Sequence, residues 1–445
     1  MYVIPQSFSI FAPSYPSYLD YIVMKKKYIT VAALSALLLF NTTACKKEMF
    51  DADLYKEILK YEFPIDPVDS QQQWELTNNC VATVNVPVLL KGQKRLMILT
   101  DNPATNRQTT IMAESNSYNN GDNYMVFAAP KTLTTFYAAI EQTDGSLLIK
   151  PFTYSDSRVS MTDATKIEKL ANTLGYQTFT YCFEENYPEP GDYDFNDCVL
   201  RISLQPGDQA NQRKLNVSLA ATGADKLIGA AINILNYKYS DIESVVEQDG
   251  KVWDEGYPAQ RYLMDNTETL QEGRNGEAVI RLFENASWVM VHNKADDVGG
   301  LVNYKVNVTK TYSETTRQIN PTTKTYIITF KESATALLNN FSLLNIDPFV
   351  VTYYNSGKWE THTYSYKHSN ILFEGVTQDS DNMTWALCIP TGDFRWPLEG
   401  LLVGTAKGGV ITGAYREYGH AFGQWAANRN KAQDWYLHPT TSEVY

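Results

Sequence analysis

Apolar and polar residues alternate along most of the chain between residues 74 and 154, beginning with "CVATVNVPV" at 80–88. An alternation with a period of two is typical of β-strands, because successive side chains point to opposite faces of a sheet. Turn residues such as Asp144-Gly145 separate the runs. The pattern predicts an N-terminal β-sandwich over residues 72–160, with strands at 80–88, 94–101, 109–114, 123–130, 134–141 and 146–154.

The remainder of the chain is again rich in short alternating runs. Residues 162–175 have the pattern of a capped helix that ends at Gly175, and this helix marks a domain boundary. A larger β-sandwich or jelly-roll-like domain is predicted over 175–445, with strands at 176–184, 199–204, 214–220, 278–282, 288–292, 302–308, 325–330, 348–354 and 385–389. Residues 254–276 resemble insertion loops, and 414–429 are predicted as a late helix with a core-facing aromatic stripe of Tyr415, Tyr418, Phe422 and Trp425. The predicted fold class is all-β with few short helices.

The N-terminal region carries an export signal. From Met24 the chain reads "MKKKYITVAALSALLLFNTTACKKE", in which lysines precede an apolar run too short to span a bilayer permanently. "TTAC" resembles a bacterial lipobox, although Thr42 stands where Leu is usual, and it predicts lipidation of Cys45. Two alternatives are an ordinary secretion signal with an incidental cysteine and an uncleaved anchor.

These features divide the N-terminal region into three parts. Residues 1–23 fit no part of the signal, so Met24 is the expected start and 1–23 an upstream extension. Residues 24–44 form the signal peptide. Residues 45–71 form a tether with a short amphipathic helix, and the mature protein is expected in the cell envelope, held at the outer membrane by its lipid.

Composition and charge exclude some classes of partner. The 445 residues are 44% hydrophobic and 20% charged, which is ordinary for globular domains. A net charge of -12, with no basic stripe and no P-loop, makes nucleic acid a poor partner. An aromatic content of 13%, with 30 tyrosines, agrees with β-structure.

The acidic loop in "YCFEENYPEPGDYDFNDCVLRISL" (181–204) is the main candidate for chemistry. The flanking strands place its carboxylates at one end of a sheet, and residues spaced two apart can converge on a hard cation. Oxygen-only ligands are what Ca²⁺ prefers, so the loop predicts a structural calcium site formed by Glu184, Asp192, Asp194, Asn196 and Asp197. An EF-hand is rejected, because its sixth and twelfth positions hold Asp197 and Ser203.

Two other interpretations of the loop remain. The acidic side chains could cap turns by accepting backbone N–H bonds, without any metal. Two carboxylates could also act as the acid and base of a glycosidase, but those normally come from separate strands that face a groove.

The cysteines and histidines add little chemistry. Besides Cys45 the chain has Cys80, Cys182, Cys198 and Cys388. Cys182 and Cys198 flank the acidic loop and are either a disulfide or two separate buried thiols. The five histidines are scattered, and His362 and His368 are expected at the surface.

"FEENYPEPGDYDFNDCVLRI" (183–202) resembles the signature of the LruC-type domains of bacterial lipoproteins. Three further stretches agree: "FPIDPVDSQQQW" at 63–74, "LNIDPFVV" at 344–351, and the C-terminal segments "IPTGDFRWPLEG", "AYREYGHAFGQW" and "DWYLHP". Glu185 and Cys198 depart from the usual pattern, and 360–369 follows it loosely. The resemblance implies an exported lipoprotein of a Gram-negative bacterium and no reaction.

Three functions are therefore considered. The first is a non-enzymatic envelope lipoprotein that binds an unknown protein or glycan, with the acidic loop as a calcium-stabilised element. The second is a structural subunit of a fimbria-like surface assembly, which needs an exchangeable edge strand. The third is a polysaccharide hydrolase, which needs separated carboxylates in a groove lined by aromatic side chains.

Overall fold

The structure is a computed structural model that describes residues 65–87, 93–115, 119–156, 158–187, 191–257, 263, 267–292, 303–354, 357–363, 369–370 and 384–445. The predicted signal peptide, most of the tether, Cys45, Glu189 and His368 lie outside these residues. By compactness the chain divides into residues 1–57 and 58–445, and every described residue belongs to the second unit. The predicted domain boundaries stay a prediction.

The first ten strands form most of the N-terminal part. They are β1 Ile65–Asp66, β2 Thr77–Val86, β3 Gln93–Leu99, β4 Thr110–Ser115, β5 Gly121–Pro130, β6 Thr135–Gln142, β7 Leu147–Thr153, β8 Val159–Ser160, β9 Thr165–Ile167 and β10 Gly175–Tyr176. A six-stranded sheet has the order β10-β4-β3-β6-β7-β9, and a three-stranded sheet has the order β5-β2-β8. The alternation predicted from the sequence is visible in β2, where Ala82, Val84 and Val86 are buried and their neighbours are more exposed.

Fifteen further strands follow: β11 Thr178–Phe183, β12 Cys198–Pro206, β13 Gln212–Ala221, β14 Ile228–Lys238, β15 Ile242–Glu247, β16 Leu270–Glu272, β17 Glu277–Phe283, β18 Lys305–Val306, β19 Thr316–Arg317, β20 Thr322–Phe330, β21 Ile346–Tyr354, β22 Gly357–His362, β23 Ser369–Asn370, β24 Ala386–Ile389 and β25 Ala406–Lys407. One six-stranded sheet has the order β15-β20-β13-β12-β11-β24, and a second has the order β16-β17-β14-β21-β22-β23. Two short parallel pairs, β1-β25 and β18-β19, complete the topology.

Two apolar cores position the acidic loop. The larger core lies between the two C-terminal six-stranded sheets and contains Leu200, Ile232, Ile280 and Ile328. The second core covers the outer face of β11 and β12 with aromatic residues of the C-terminal segment: Phe394, Trp396, Tyr415, Phe422, Trp425 and Trp435. The observed fold is all-β and sandwich-like, which confirms the predicted fold class.

The helices were predicted less well than the strands. The described residues include the α-helix α1 Phe422–Ala427 and short 3₁₀-helices at Tyr239–Asp241, Arg274–Gly276, Glu332–Asn340, Leu343–Asn345 and Trp435–Leu437. The predicted helix at 162–175 is wrong, because this segment contains β9 and otherwise irregular backbone. The predicted strand at 288–292 is instead a π-helix, Trp288–His292.

Among the described residues, no helix has the length and apolar character needed to cross a membrane.

Candidate metal centre

The acidic loop connects β11 to β12, which are antiparallel neighbours in the middle of their sheet. Phe183 pairs with Cys198 in the last register position before the loop. Residues 184–197, of which 188–190 are not described, therefore leave and re-enter the sheet at one edge. This is the placement that the sequence predicts.

The loop has an unusual backbone between its acidic positions. Tyr193 and Phe195 have positive φ angles of 55° and 54°, although neither is a glycine. Such a conformation costs a non-glycine residue about 1–3 kcal/mol and persists only where the surroundings enforce it. Burial of both rings in the second core offsets this cost. The residues between and beside these rings are Asp192, Asp194 and Asn196, each with an oxygen-bearing side chain.

Three predicted ligands converge. One carboxylate oxygen from each of Glu184, Asp192 and Asp194 lies within 4.8 Å of the others. Glu184 and Asp194 are buried, whereas Asp192 is exposed. The group therefore extends from the protein interior to solvent, which gives an ion a route in.

The electrostatics of the group are unfavourable without a cation. Burial raises the pKa of Glu184 well above its usual range, and the charges of Asp197, Asp194 and Asp192 raise it further. Burial also raises the pKa of Asp194, with the Asp192 charge as the next cause. Within the described part of the chain, no Lys or Arg forms an ion pair with Glu184, Asp192 or Asp194. The Lys305 charge favours the ionised form of Asp192, but Lys305 pairs with Asp225 and Glu399 rather than with the converging carboxylates.

Two buried oxygens in the loop lack a hydrogen-bond partner among the described residues: Glu184 Oε2 and Asn196 Oδ1. An acceptor left unpaired in the interior costs about 1–3 kcal/mol, and more when it is charged. Glycines leave room beside both atoms. A Cβ on Gly191 would lie 2.1 Å from Glu184 Oε2, and a Cβ on Gly223 would lie 2.0 Å from Asn196 Oδ1. These residues therefore fit a hard cation, which would satisfy such oxygens.

Other atoms of the loop make the backbone contacts that the turn-capping interpretation predicts. Asp194 accepts hydrogen bonds from the N–H groups of Asn196 (3.1 Å) and Gly400 (2.8 Å). Asp197 Oδ2 accepts from the Glu185 N–H at 2.7 Å. Asp197 is not in the converging group of three, so its structural part in the loop is a turn contact. These capping contacts leave Glu184 Oε2 available as a metal ligand, since it takes part in no such bond.

The C-terminal segment supplies a site residue that sequence reasoning missed. Glu399 Oε2 is buried and has no hydrogen-bond partner within the described ranges, and it lies 3.0 Å from the Cβ position of Gly223. Asn196 Oδ1 borders the same position. Glu399 is about two hundred positions from the loop, and no local spacing in the sequence connects the two. The only signal was that Glu399 falls within one of the stretches that carry the family resemblance.

The four described cysteines are free thiols. Cys182 faces the second core and Cys198 faces the larger core, because the two residues occupy adjacent register positions on opposite faces of the β11–β12 pair. A bond between them would have to pass through the sheet. The disulfide alternative is therefore wrong, and the two residues are separate buried thiols.

The prediction that His362 lies at the surface is also wrong. His362 is buried, stacks on Phe349 at a centroid distance of 4.5 Å, and bonds through Nδ1 to Asp347 Oδ2 at 2.8 Å. Burial alone would lower the pKa of His362, but the Asp347 charge and hydrogen bonds to Asp347 and Glu360 outweigh it and raise the pKa to about 9. The imidazole is therefore a buried cation at neutral pH.

This ion pair predicts a pH dependence of stability. Because the folded-state pKa of His362 is raised above its unfolded value near 6.5, the stabilisation is complete below about pH 6.5 and is lost as the pH rises through about 9. The free energy of unfolding of the parent should exceed that of His362→Gln by roughly 3 kcal/mol at low pH. Denaturant unfolding of both proteins across this range measures the difference. A difference that stays constant with pH would contradict the ion pair.

Comparisons with known proteins agree with the fold. Residues 208–436 match a family model described as a domain of unknown function (DUF4842). A crystal structure described as that of a "Putative lipoprotein from Bacteroides ovatus" is similar over 79% of this chain and 99% of its own, with a TM-score of 0.50 and 13% identity. No curated protein matches the chain. Because the family model covers more than half of the sequence, the chain belongs to the DUF4842 family.

Proposed function

We propose that this protein is a non-enzymatic cell-envelope lipoprotein, a binding module whose larger domain is stabilised by calcium at the acidic loop. The observation that carries the proposal is the convergence of Glu184, Asp192 and Asp194, together with the buried Oε2 of Glu184, which has no partner among the described residues. A bound Ca²⁺ would neutralise the mutual repulsion of these carboxylates.

The donor set supports calcium over other metals. All the candidate ligand atoms are oxygens, from three carboxylates and the Asn196 amide, and the loop offers no nitrogen or sulfur ligand. Calcium accepts six to eight oxygens in irregular geometry, whereas magnesium demands a near-ideal octahedron and retains its waters. The loop combines buried and exposed side chains and so offers an irregular set of ligands, which calcium accepts more readily than magnesium does.

Calcium binding to the purified protein tests the proposal. Isothermal titration of metal-stripped protein should give about one equivalent, with a Kd in the range of about 10⁻⁷ to 10⁻³ M known for calcium-binding modules. Asp192→Asn removes one charge from the group and should weaken binding by about tenfold or more, because it loses a charged ligand. Asp208→Asn is the matched control, since Asp208 pairs with Lys214 in the turn at the opposite end of β12. Absence of binding, or equal loss in both variants, would contradict the site.

The envelope location rests on the sequence around Cys45 and on the fold shared with the Bacteroides ovatus protein. We infer that Cys45 is lipidated after cleavage of the 24–44 signal and that the lipid holds the protein at the outer membrane. We also infer that the chain carries an LruC-type domain. The sequence signature for this domain, at 183–202, lies just before residues 208–436, which match the family model.

Cys45→Ala should move the protein from the membrane fraction to the soluble fraction. A terminus with several acyl chains holds a protein far more firmly than the marginal binding of a single chain. Fractionation of cells that express the parent and the variant measures the change. The Cys80→Ala variant serves as the control, because Cys80 is a buried thiol of β2 that has no part in anchoring. A Cys45→Ala variant that pellets like the parent would contradict the lipid anchor.

The geometry of the acidic group supports a binding role rather than hydrolysis. One carboxylate oxygen from each residue lies within 4.8 Å of the others, closer than the roughly 5–10 Å that separates the paired carboxylates of glycosidases. Two of the three residues are buried, where a polysaccharide cannot reach them. The partner we propose is therefore a protein or glycan that the module binds without cleaving.

A further inference from the structure

A second group of potential metal ligands lies in the C-terminal segment, away from the acidic loop. His420, Asp434 and His438 each place one ligand atom within 4.8 Å of the others. Asp434 Oδ2 lies 2.7 Å from His420 Nδ1 and 3.3 Å from His438 Nε2. The two imidazole rings stack at a centroid distance of 4.0 Å.

The aromatic core holds the segments that carry these side chains. His420 comes just before α1, whose Phe422 and Trp425 are fully buried. Asp434 and His438 lie on either side of the 3₁₀-helix Trp435–Leu437, and Trp435 is also fully buried. The Leu437 N–H donates to the Asp434 carbonyl at 2.9 Å, which closes this turn. Core packing thus fixes both segments, so the three side chains are close together before any ion binds.

We propose that His420 Nδ1, Asp434 Oδ2 and His438 Nε2 form a site for a transition-metal ion of the zinc class. Imidazole nitrogens with a carboxylate suit Zn²⁺, Cu²⁺ or Ni²⁺, whereas calcium takes oxygen ligands. Ligand atoms around a tetrahedral zinc with bonds of 2.0–2.1 Å are separated by roughly 3.4 Å, close to the 3.3 Å between Asp434 Oδ2 and His438 Nε2. The stacked rings must rotate for both nitrogens to face one ion, which half-exposed side chains can do.

A fourth residue has the position of an outer-shell partner. Glu417 Oε2 lies 3.3 Å from His438 Nδ1, the nitrogen that faces away from Asp434. Metal-binding histidines usually donate their other N–H to such a carboxylate, which fixes the tautomer and orients the ring. Glu417, His438 and the ion would form this arrangement. Since His420, Asp434 and His438 are all half-exposed, at least one coordination position would face solvent.

Zinc titration of the intact purified protein, in excess Ca²⁺ so that the acidic loop is occupied, tests this site. The parent should bind about one equivalent of Zn²⁺, and His420→Ala and His438→Ala should each weaken binding by about tenfold or more. Glu443→Gln is the matched control, because Glu443 contacts Arg416 in the same segment but takes no part in the site. Without added zinc, all variants should keep the parent's melting temperature, since the altered side chains are not core residues.

Cobalt gives a second readout. Co²⁺ added to the parent should produce visible absorption bands, and these bands should be absent from the His420→Ala/His438→Ala double variant. The site is refuted if the parent takes up no zinc below about 1 mM, or if the double variant binds zinc as the parent does. Neither result would bear on the calcium site, because the acidic loop contributes no ligand to this group.

Discussion

Arg281→Met is expected to lower the free energy of unfolding by about 3–5 kcal/mol, the usual cost of breaking a buried ion pair by removing one partner. Arg281 forms two hydrogen bonds to Asp254, at 3.1 and 2.6 Å, and its Nε lies 3.6 Å from Glu284 Oε1. The three side chains are at most 5% exposed. Methionine fills a similar volume but leaves two buried carboxylates without their cation.

The surface of the same sheet offers a matched control. Arg274 pairs with Glu360 at 3.0 Å, but its side chain is 46% exposed. Exposed pairs contribute about 0–1 kcal/mol, because water already solvates both partners. Denaturant unfolding of Arg281→Met and Arg274→Met should therefore separate the two variants clearly. Equal losses of unfolding free energy would contradict the prediction that the buried Arg281 ion pairs stabilise the second C-terminal sheet more than the exposed Arg274 pair does.

The buried Asp254–Arg281 pair also shows what the sequence pattern could not predict. Residues 254–276 were expected to be an insertion loop, because they lack periodicity. In the structure Asp254 is buried against Arg281, Trp253 packs in the larger core, and β16 adds an edge strand. A charged residue that is buried by a distant partner leaves no periodic signal in its own neighbourhood.

Strands were predicted well because their alternation is a local property. Each of the predicted runs at 214–220, 278–282 and 325–330 falls within an observed strand. The helix expected at 162–175 failed because tertiary packing prevailed: Ile167, Leu170 and Leu174 cover one face of the N-terminal sheet without forming a helix. The apolar run at 288–292 could not be assigned by periodicity, since a buried helix and a buried strand look alike over so few residues.

The late aromatic stripe was right in part. Tyr415, Phe422 and Trp425 enter the second core as predicted, but Tyr418 is 84% exposed. Gly419, with φ of 92°, turns the backbone there, and only Phe422–Ala427 is an α-helix. Residues 414–421 are thus turns and irregular backbone, and only the second half of the predicted helix is helical.

The residues around the acidic loop also differ in how well the sequence predicts them, because some are close to one another in sequence and others are distant. Glu184, Asp192 and Asp194 were found because hairpin geometry brings them together within one short loop. Gly223 and Glu399 complete the surroundings from other elements, and nothing in the spacing of the chain could have paired them with Asn196. The histidine group was missed for the same reason, since core packing rather than sequence proximity joins His420 to His438.

Calcium is expected to raise the melting temperature of the protein by roughly 3–5 °C at a hundredfold excess over Kd, because a ligand that binds only the folded state stabilises it by about 2.7 kcal/mol. The expected physical source is the repulsion among Glu184, Asp192 and Asp194, which a bound ion would remove. Without metal, burial raises the pKa values of Glu184 and Asp194, and the charges of the neighbouring carboxylates raise them further.

Asp192→Asn separates metal binding from turn capping. Asp192 is the exposed member of the group, and asparagine keeps a side-chain oxygen for the contact that Asp192 makes with the Asp194 backbone. Asp194 accepts the Asn196 and Gly400 N–H bonds, so its replacement would destabilise the loop with or without metal. The metal-free Asp192→Asn protein should melt at or above the temperature of the metal-free parent, because it has one repelling charge fewer. Asp208→Asn should respond to calcium as the parent does.

The most direct test of calcium stabilisation is thermal unfolding of metal-stripped parent and Asp192→Asn protein, each measured with calcium and with chelator. The account predicts that calcium raises the melting temperature of the parent and raises that of Asp192→Asn by about half as much or less, as a tenfold or greater loss of affinity requires. Identical melting curves for the parent in calcium and in chelator would contradict it and would leave the loop as a hydrogen-bonded turn without a metal.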